Sequence, residues 1–265
     1  MKITHDFHVH TNLSICAKPE ATLENYVERW RENGITKVAI TDHMWDVGAA
    51  PIENDFYEKQ NFEHILTLCE KIEEYRKNGL DILFGTECEY SYKTRRPAIT
   101  PAVAEQMDVL LVPNSHTHLT MPKDFYEPHE KHIEYMIDAF MDIVTSDVAP
   151  FITAVPHPFL AVCCPYPNRD LVREMTDDQF KRCFDAAAKA GIALELNPNY
   201  IRNRSLEAIY NDPIFRMFRL GKECGCKFTV GSDSHSMPDY DNFHLIYVLT
   251  SLLGLKEDDF HPKTR

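Results

Sequence analysis

Six of the thirteen histidines in this 265-residue chain fall in short clusters with each other or with carboxylates, and with a seventh, His157, they make a donor set that could hold metal ions. They are His8 with His10, His43 beside Asp42, His116 with His118, His157, and His235 beside Asp233 and Ser234, with Glu87 and Glu89 in a cluster of their own. His8 and His10 are two apart, so in an extended segment both imidazoles lie on one side and can approach one ion. Mixed imidazole and carboxylate donors suit zinc, manganese or iron rather than calcium or magnesium, which take oxygen throughout. About nine donors are too many for one tetrahedral ion and suggest two or three, with Glu87 placed to bridge a pair. Such a cluster activates water and clamps a phosphoryl group. Any one of these histidines alone reads as an ordinary hydrogen-bonded side chain. Gathered at one pole of a fold, they would be electrostatically unreasonable without cations. The remaining histidines, His5, His64, His129, His132, His244 and His261, lie at strand starts or on helical patterns and read as structural.

The elements that would gather them alternate along the chain, short β-branched runs giving way to amphipathic segments. After the first strand, Thr22 as N-cap opens a helix with Leu23, Tyr26, Val27 and Trp30 on one face, and Gly34 stops it. ITKVAIT is the second strand. A helix through Phe62, Ile65, Leu66, Cys69 and Ile72 to Gly79 leads to LDILFG, and Thr100 before Pro101 opens a short helix ahead of DVLLV. A helix through Ile133, Met136, Ile137, Phe140 and Val144 precedes FITAV. Another, capped by Thr176 and stopped at Gly191, precedes IALELN. Asp212 and Pro213 begin the helix before KFTVG, and a last helix is expected from about Asp241 to Leu253. Seven βα units predict a parallel barrel one unit short of eight, with an open doubly wound sheet as the alternative. The clusters then sit where the strands end: His8 and His10, Asp42 and His43, Glu87, His116, His157, Asn197, and Asp233 with His235.

Composition narrows the function. With 44% hydrophobic and 26% charged residues the chain reads as an ordinary globular protein, and a net charge of -13 would repel a nucleic-acid duplex. No apolar leader or membrane-length run is visible, so a cytoplasmic protein with no membrane partner is expected. The eight cysteines read as thiols, Cys69 and Cys183 as core, and the pairs Cys163–Cys164 and Cys224–Cys226 as structural.

The motifs DFHVHT, AITDH, GTE, SH, VPHP and VGSDSH, in this order and each after a strand, resemble those of the PHP (polymerase and histidinol phosphatase) family. The resemblance extends over essentially all of residues 1–265, taken as one domain. It implies a distorted (β/α)7 barrel with a trinuclear metal centre at the C-terminal ends of the strands, and phosphoesterase activity. By motif, His8, His10, Glu87 and Asp233 would hold one metal, Glu87, His116 and His157 a second, and His43 with His235 the third. His118 is a weaker alternative to His116, and Asp42 is expected to orient a ligand rather than be one. Where many members carry histidine six positions after the second histidine of the first motif, this chain has Cys16, a thiolate ligand of altered metal preference or a bystander.

An anionic substrate also calls for fixed cations. Arg202 and Arg204 follow the sixth strand, and Lys93, Arg95 and Arg96 the third; Arg202 stands where histidinol-phosphatase-like members resemble it in carrying an arginine. The expectation is a phosphomonoesterase in which two or three Zn, Mn or Fe ions bind a small anionic substrate, histidinol phosphate being the one named candidate. Glu87, Asp233 and His235 would be its catalytic groups, through a hydroxide bridging two ions. The rivals are a metal hydrolase of C–N or C–O bonds and a non-catalytic scaffold of the same family.

Overall fold

A computed structural model of the chain describes residues 2–265. Its frame is seven parallel strands in sequential order: β1 (His5–Val9), β2 (Lys37–Ile40), β3 (Asp81–Cys88), β4 (Val109–Leu111), β5 (Ala154–Val155), β6 (Ala193–Leu196) and β7 (Phe228–Val230). Each pairs with the next, as in His5 opposite Lys37, Lys37 opposite Asp81, Gly85 opposite Val109 and Phe228 opposite Leu194. A two-residue strand, His43–Met44, adds to the far end of β3, with His43 opposite Glu87.

The sheet closes on itself just past the ends of β1 and β7. Val9 bridges Ser234 in parallel, His10 N donates to Ser234 O at 3.0 Å, and Asp233 N donates to His8 O at 2.9 Å. Lower on the same seam side chains replace the ladder: Val230 N donates to His5 Nε2 at 3.2 Å and Ser232 N to Asp6 Oδ1 at 2.9 Å. The outcome is the nearly closed seven-stranded barrel expected from the βα count, and the open sheet is set aside. Fewer strands mean a narrower lumen. The interior layer accordingly uses small residues, Ala39, Ala154 and Ala193, beside Phe7, Val109 and Leu111.

The helices pack outside. The one over Leu23–Asn33 is capped by Thr22 and ended by Gly34 at φ +68°, the left-handed conformation that glycine adopts freely. Thr176 and Gln179 form a capping box for Asp177–Ala190, and Asp212 caps Pro213–Glu223. Three expectations are corrected. The helix through Phe62 to Gly79 is two pieces, Phe62–Leu66 and Cys69–Lys77, because the Thr67 hydroxyl takes the His64 carbonyl at 2.7 Å and tightens the chain there. Cys69 is consequently half-buried, whereas Cys183 is buried as expected. The last helix starts as a 3-10 segment, Met237–Leu245, and becomes α only at Ile246–Leu252. Among the described residues no helix is long and apolar enough to cross a membrane.

Candidate metal centre

β1 carries His8 next to its last residue and delivers His10 just past its end, both fully buried. Their Nε2 atoms lie 3.0 Å apart. β3 brings Glu87 between the two halves of the cluster: its Oε2 is 3.4 Å from His8 Nε2, 3.3 Å from His10 Nε2 and 3.2 Å from His43 Nδ1. Its Oε1 is 2.9 Å from His157 Nε2 and 3.6 Å from His116 Nε2. From the end of β7, Asp233 Oδ1 stands 3.5 Å from both His8 and His10 Nε2. The ring of His235 stacks on that of His10 with centroids 4.1 Å apart.

The outer nitrogens fix which way the inner ones face. His8 Nδ1 lies 2.6 Å from Glu195 Oε2, and a carboxylate accepts, so Nδ1 carries the proton and Nε2 turns a lone pair inward. His116 Nδ1 donates in the same way to Glu89 Oε2 at 2.9 Å, where Tyr57 OH also donates at 2.7 Å. His10 Nδ1 bonds Ser14 Oγ at 3.1 Å, and Ser14 Oγ donates to Asp42 Oδ1 at 2.6 Å, which leaves Ser14 to accept from His10. Asp42 thus orients a histidine through Ser14, as expected of it. His157 Nδ1 meets Ser115 Oγ at 2.6 Å.

With the imidazoles neutral, acceptors therefore converge on acceptors in a largely buried cluster. His43 Nδ1 and Glu87 Oε2 are both buried without a hydrogen-bond partner. Buried polar atoms left in this way cost free energy unless something pairs them, and a cation between them does so. Three groups each bring three ligand atoms within 4.8 Å of one another: His8, His10 and Asp233; His8, Glu87 and His157; His10, His43 and His235. The donor set and its orientation fit bound divalent ions.

Without ions the pocket stores protons. Burial disfavours the charged imidazole of His116, but Glu87 and Glu89 outweigh it and push its pKa to about 9. At His8 burial is likewise overcome, by Glu195, Glu87 and Asp233, and the pKa is held well above its ordinary value. Burial, then the charge of His10, keeps His43 well below its ordinary value. Glu87 is lowered well below the carboxylate range, burial being overcome by His116 and His8. The backbone is strained at two residues of the cluster, with His157 at φ +29° and Asp233 at φ +51°, a conformation few non-glycine residues adopt.

Of the residues singled out in the sequence, eight come together: His8, His10, His43, Glu87, His116, His157, Asp233 and His235. Cys16 and His118 line the cavity of about 190 Å³ that opens over them. Arg202 and Arg204 do not line it; Arg204 pairs with Asp212 at 2.8 Å, and Arg202 is exposed. Arg95 pairs with Asp142 and Arg96 with Asp147.

Asn197 does not reach the cluster, and its side chain instead donates to Ser232 O. The residue sequence reasoning missed is Glu195, two positions earlier on the same face of β6. The glycine beyond β7 makes room for it: a Cβ on Gly231 would fall 2.5 Å from both Glu195 Oε2 and His8 Cβ.

The PHP domain family model matches residues 6–199. A probable phosphatase of Thermoanaerobacter sp. (strain X514) is 25% identical over 260 residues, covering 97% of this chain and 89% of the relative. A probable phosphatase of Shewanella piezotolerans is 26% identical over 251 residues, covering 91% and 83%. Among solved structures, the histidinol phosphate phosphatase of Lactococcus lactis, complexed with zinc, L-histidinol and phosphate, superposes with a TM-score of 0.67 at 17% identity, covering 96% of this chain and 95% of the other. A putative histidinol phosphatase of Listeria monocytogenes gives 0.66 at 16% identity, covering 92% and 99%. At those identities the two structures speak for the fold.

Proposed function

We propose that this chain, which belongs to the PHP domain family, is a metal-dependent phosphoesterase acting on a small phosphomonoester. The observation that carries the reading is the convergence of inward lone pairs and carboxylate oxygens around Glu87, where the buried His43 Nδ1 and Glu87 Oε2 approach to 3.2 Å yet neither has a hydrogen-bond partner. His8, His10, Glu87 and Asp233 would hold one ion, Glu87, His116 and His157 a second, and His43 and His235, beside His10, a third. Ions bound there would supply positive charge for the phosphoryl oxygens and lower the pKa of water.

The chain's own residues prepare that chemistry. Glu195, Ser14 with Asp42, and Glu89 with Tyr57 hold three imidazoles in one tautomer, so that no rotation is needed when an ion or substrate arrives. His235 bonds the carbonyl of Asp233 through Nδ1 at 3.0 Å, which aims its other nitrogen away from that tether, toward the cavity it lines. It is placed to bind an ion or to hand a proton to the leaving alcohol. The loop arginine Arg202 would add a weaker, outlying attraction for the phosphate.

The test is metal analysis of the purified protein beside turnover of a panel of phosphomonoesters, before and after chelation and after reloading with Zn, Mn or Fe. Two or three ions per chain and turnover that follows metal content are expected. A fully loaded protein that turns over none of the esters overturns the reading. Cys16→Ser in the same assay is expected to lower metal content by up to one ion per chain, with Cys16→His restoring it; unchanged metal content makes the thiol a bystander.

A further inference from the structure

We propose that the phosphoesterase site selects esters of a small, uncharged, apolar alcohol, an inference that rests on the phosphoesterase reading and adds the class of leaving group. The cavity above the cluster has the cluster's own Glu87, Asp233, His43, His116 and His235 as its floor. Its rim is Cys16, Phe56, His118, Leu119, Val162 and Cys163. Apart from Glu87 and Asp233, which belong to the metal cluster, no Asp, Glu, Lys or Arg lines the cavity.

That rim is built rather than incidental. Phe56 meets the ring of His43 edge-on with centroids 5.3 Å apart. Asn54 Nδ2 donates to Leu119 O at 3.1 Å, tying the loop of Phe56 to the segment of Leu119. Val162 N donates to Ser115 O at 3.0 Å, fastening the third side next to the serine that holds His157. The loop arginines stay outside this lining: Arg95 pairs with Asp142, Arg96 with Asp147 and Arg204 with Asp212, and Arg202 is exposed.

Two physical consequences follow. An alcohol bearing an ammonium or carboxylate group would enter a rim with no counter-charge, and desolvating an unpaired ion is far costlier than burying a ring or a short alkyl chain. A volume of about 190 Å³ also lies below the range of ordinary ligand pockets, which favours a single ring over a nucleotide. Phosphate charge would be met by the floor, and apolar surface by Phe56, Leu119, Val162 and Cys163.

The test uses the metal-loaded protein and four primary phosphomonoesters: 2-phenylethyl phosphate, phosphoethanolamine, L-histidinol phosphate and 3-phosphoglycerate. The expected kcat/KM for the phenylethyl ester is at least about tenfold above each of the others. Val162→Asp is expected to shrink that preference about tenfold, by weakening the apolar ester and improving the ammonium esters. A binding readout runs beside turnover, the thermal shift given by 2-phenylethylphosphonate against that given by 2-aminoethylphosphonate, with the larger shift expected for the former. Equal or preferred use of an ammonium ester, or a larger shift with the aminoethyl compound, overturns the inference and leaves the phosphoesterase reading standing. Absence of turnover with all four, together with a selective shift by the phenylethyl compound, overturns the phosphoesterase reading and retains the apolar selectivity of the cavity.

Discussion

The two ends of the seam between β1 and β7 both bury histidine and carboxylate side chains, and they treat them in opposite ways. At the lower end His5 Nε2 accepts from Val230 N, Asp6 Oδ1 accepts from Ser232 N and His8 N, and Asp6 Oδ2 accepts from the Tyr240 hydroxyl. Burial, with a smaller contribution from Lys37, pushes His5 down to about 3, so the ring is neutral and acts as an acceptor. Burial raises Asp6 to about 6 even against its hydrogen bonds. Donor faces acceptor throughout, and these residues splice a barrel.

At the upper end the acceptors of His8, His10, Glu87 and Asp233 face one another. Cavity size points the wrong way, since the larger void, about 440 Å³, lies at the lower end beside His5 and Phe260. Burial of a titratable group and depth of a pocket therefore do not mark chemistry by themselves. Convergence of groups that cannot satisfy each other does.

The comparison breaks most visibly at Glu87. Glu87→Gln removes the one carboxylate that reaches both halves of the cluster, and a loss of at least about a thousandfold in turnover, with loss of one or more ions per chain, is expected from kinetics and metal analysis. Retention of both would reduce Glu87 to a structural acid like Asp6.

Next in size is the response to pH, where the sign can be worked out. In the metal-free protein His8 and His116 are raised above an ordinary value near 6.5, so their protons must leave before an ion binds. Apparent metal affinity should rise up to about tenfold per pH unit per displaced proton toward pH 9. Groups with raised pKa lend stability that is complete below their unfolded pKa and lost as pH climbs through the folded one. Chelated protein is thus expected to melt lower at pH 9 than at pH 6.5, and metal-loaded protein higher relative to it. Parallel melting curves for the two forms would remove the upper end's distinction.

Glu195→Gln sharpens the contrast, because the fold should survive while His8 loses its carboxylate partner. A fall in metal affinity of about 10- to 100-fold is expected by titration, with kcat at saturating metal recovering most of its value. Gly231→Ala, which drives a methyl group into Glu195 and His8, should act in the same direction. A variant that lost only thermal stability, with metal affinity intact, would place Glu195 with the splicing residues. The smallest effect on metal is assigned to Tyr240→Phe, which deletes the hydroxyl bonded to Asp6. Metal content and turnover should stay within about twofold, while stability drops by about 1–3 kcal/mol from the donor lost to a buried carboxylate.

How far the sequence reached differs along the chain. His8 and His10 were legible because a two-residue repeat is a local property of an extended strand, and the motif order located Glu87, His116, His157, Asp233 and His235 on the same pole. Glu195 was not. It lies on β6 and Asn197 one residue past the strand's end, two positions apart, so alternation gives both the same direction and points first to Asn197. Which of them meets His8 depends on how far β6 is staggered against β7 and β1 and on the space left at Gly231. Arg204 shows the same limit, a loop cation whose partner, Asp212, lies on the next turn of chain and takes it first.

By itself the sequence determined the alternation of seven βα units and the side of each strand on which its imidazole and carboxylate donors lie, because periodicity and capping are local properties. Only the tertiary structure decided that the sheet closes, that the closure is spliced by His5 and Asp6 at one end and opened to a cluster at the other, and which nitrogen of each imidazole faces inward. Those outcomes depend on pairs such as His8 with Glu195 and Val9 with Ser234, brought together from opposite ends of the chain by the barrel's stagger, a quantity that no local pattern encodes.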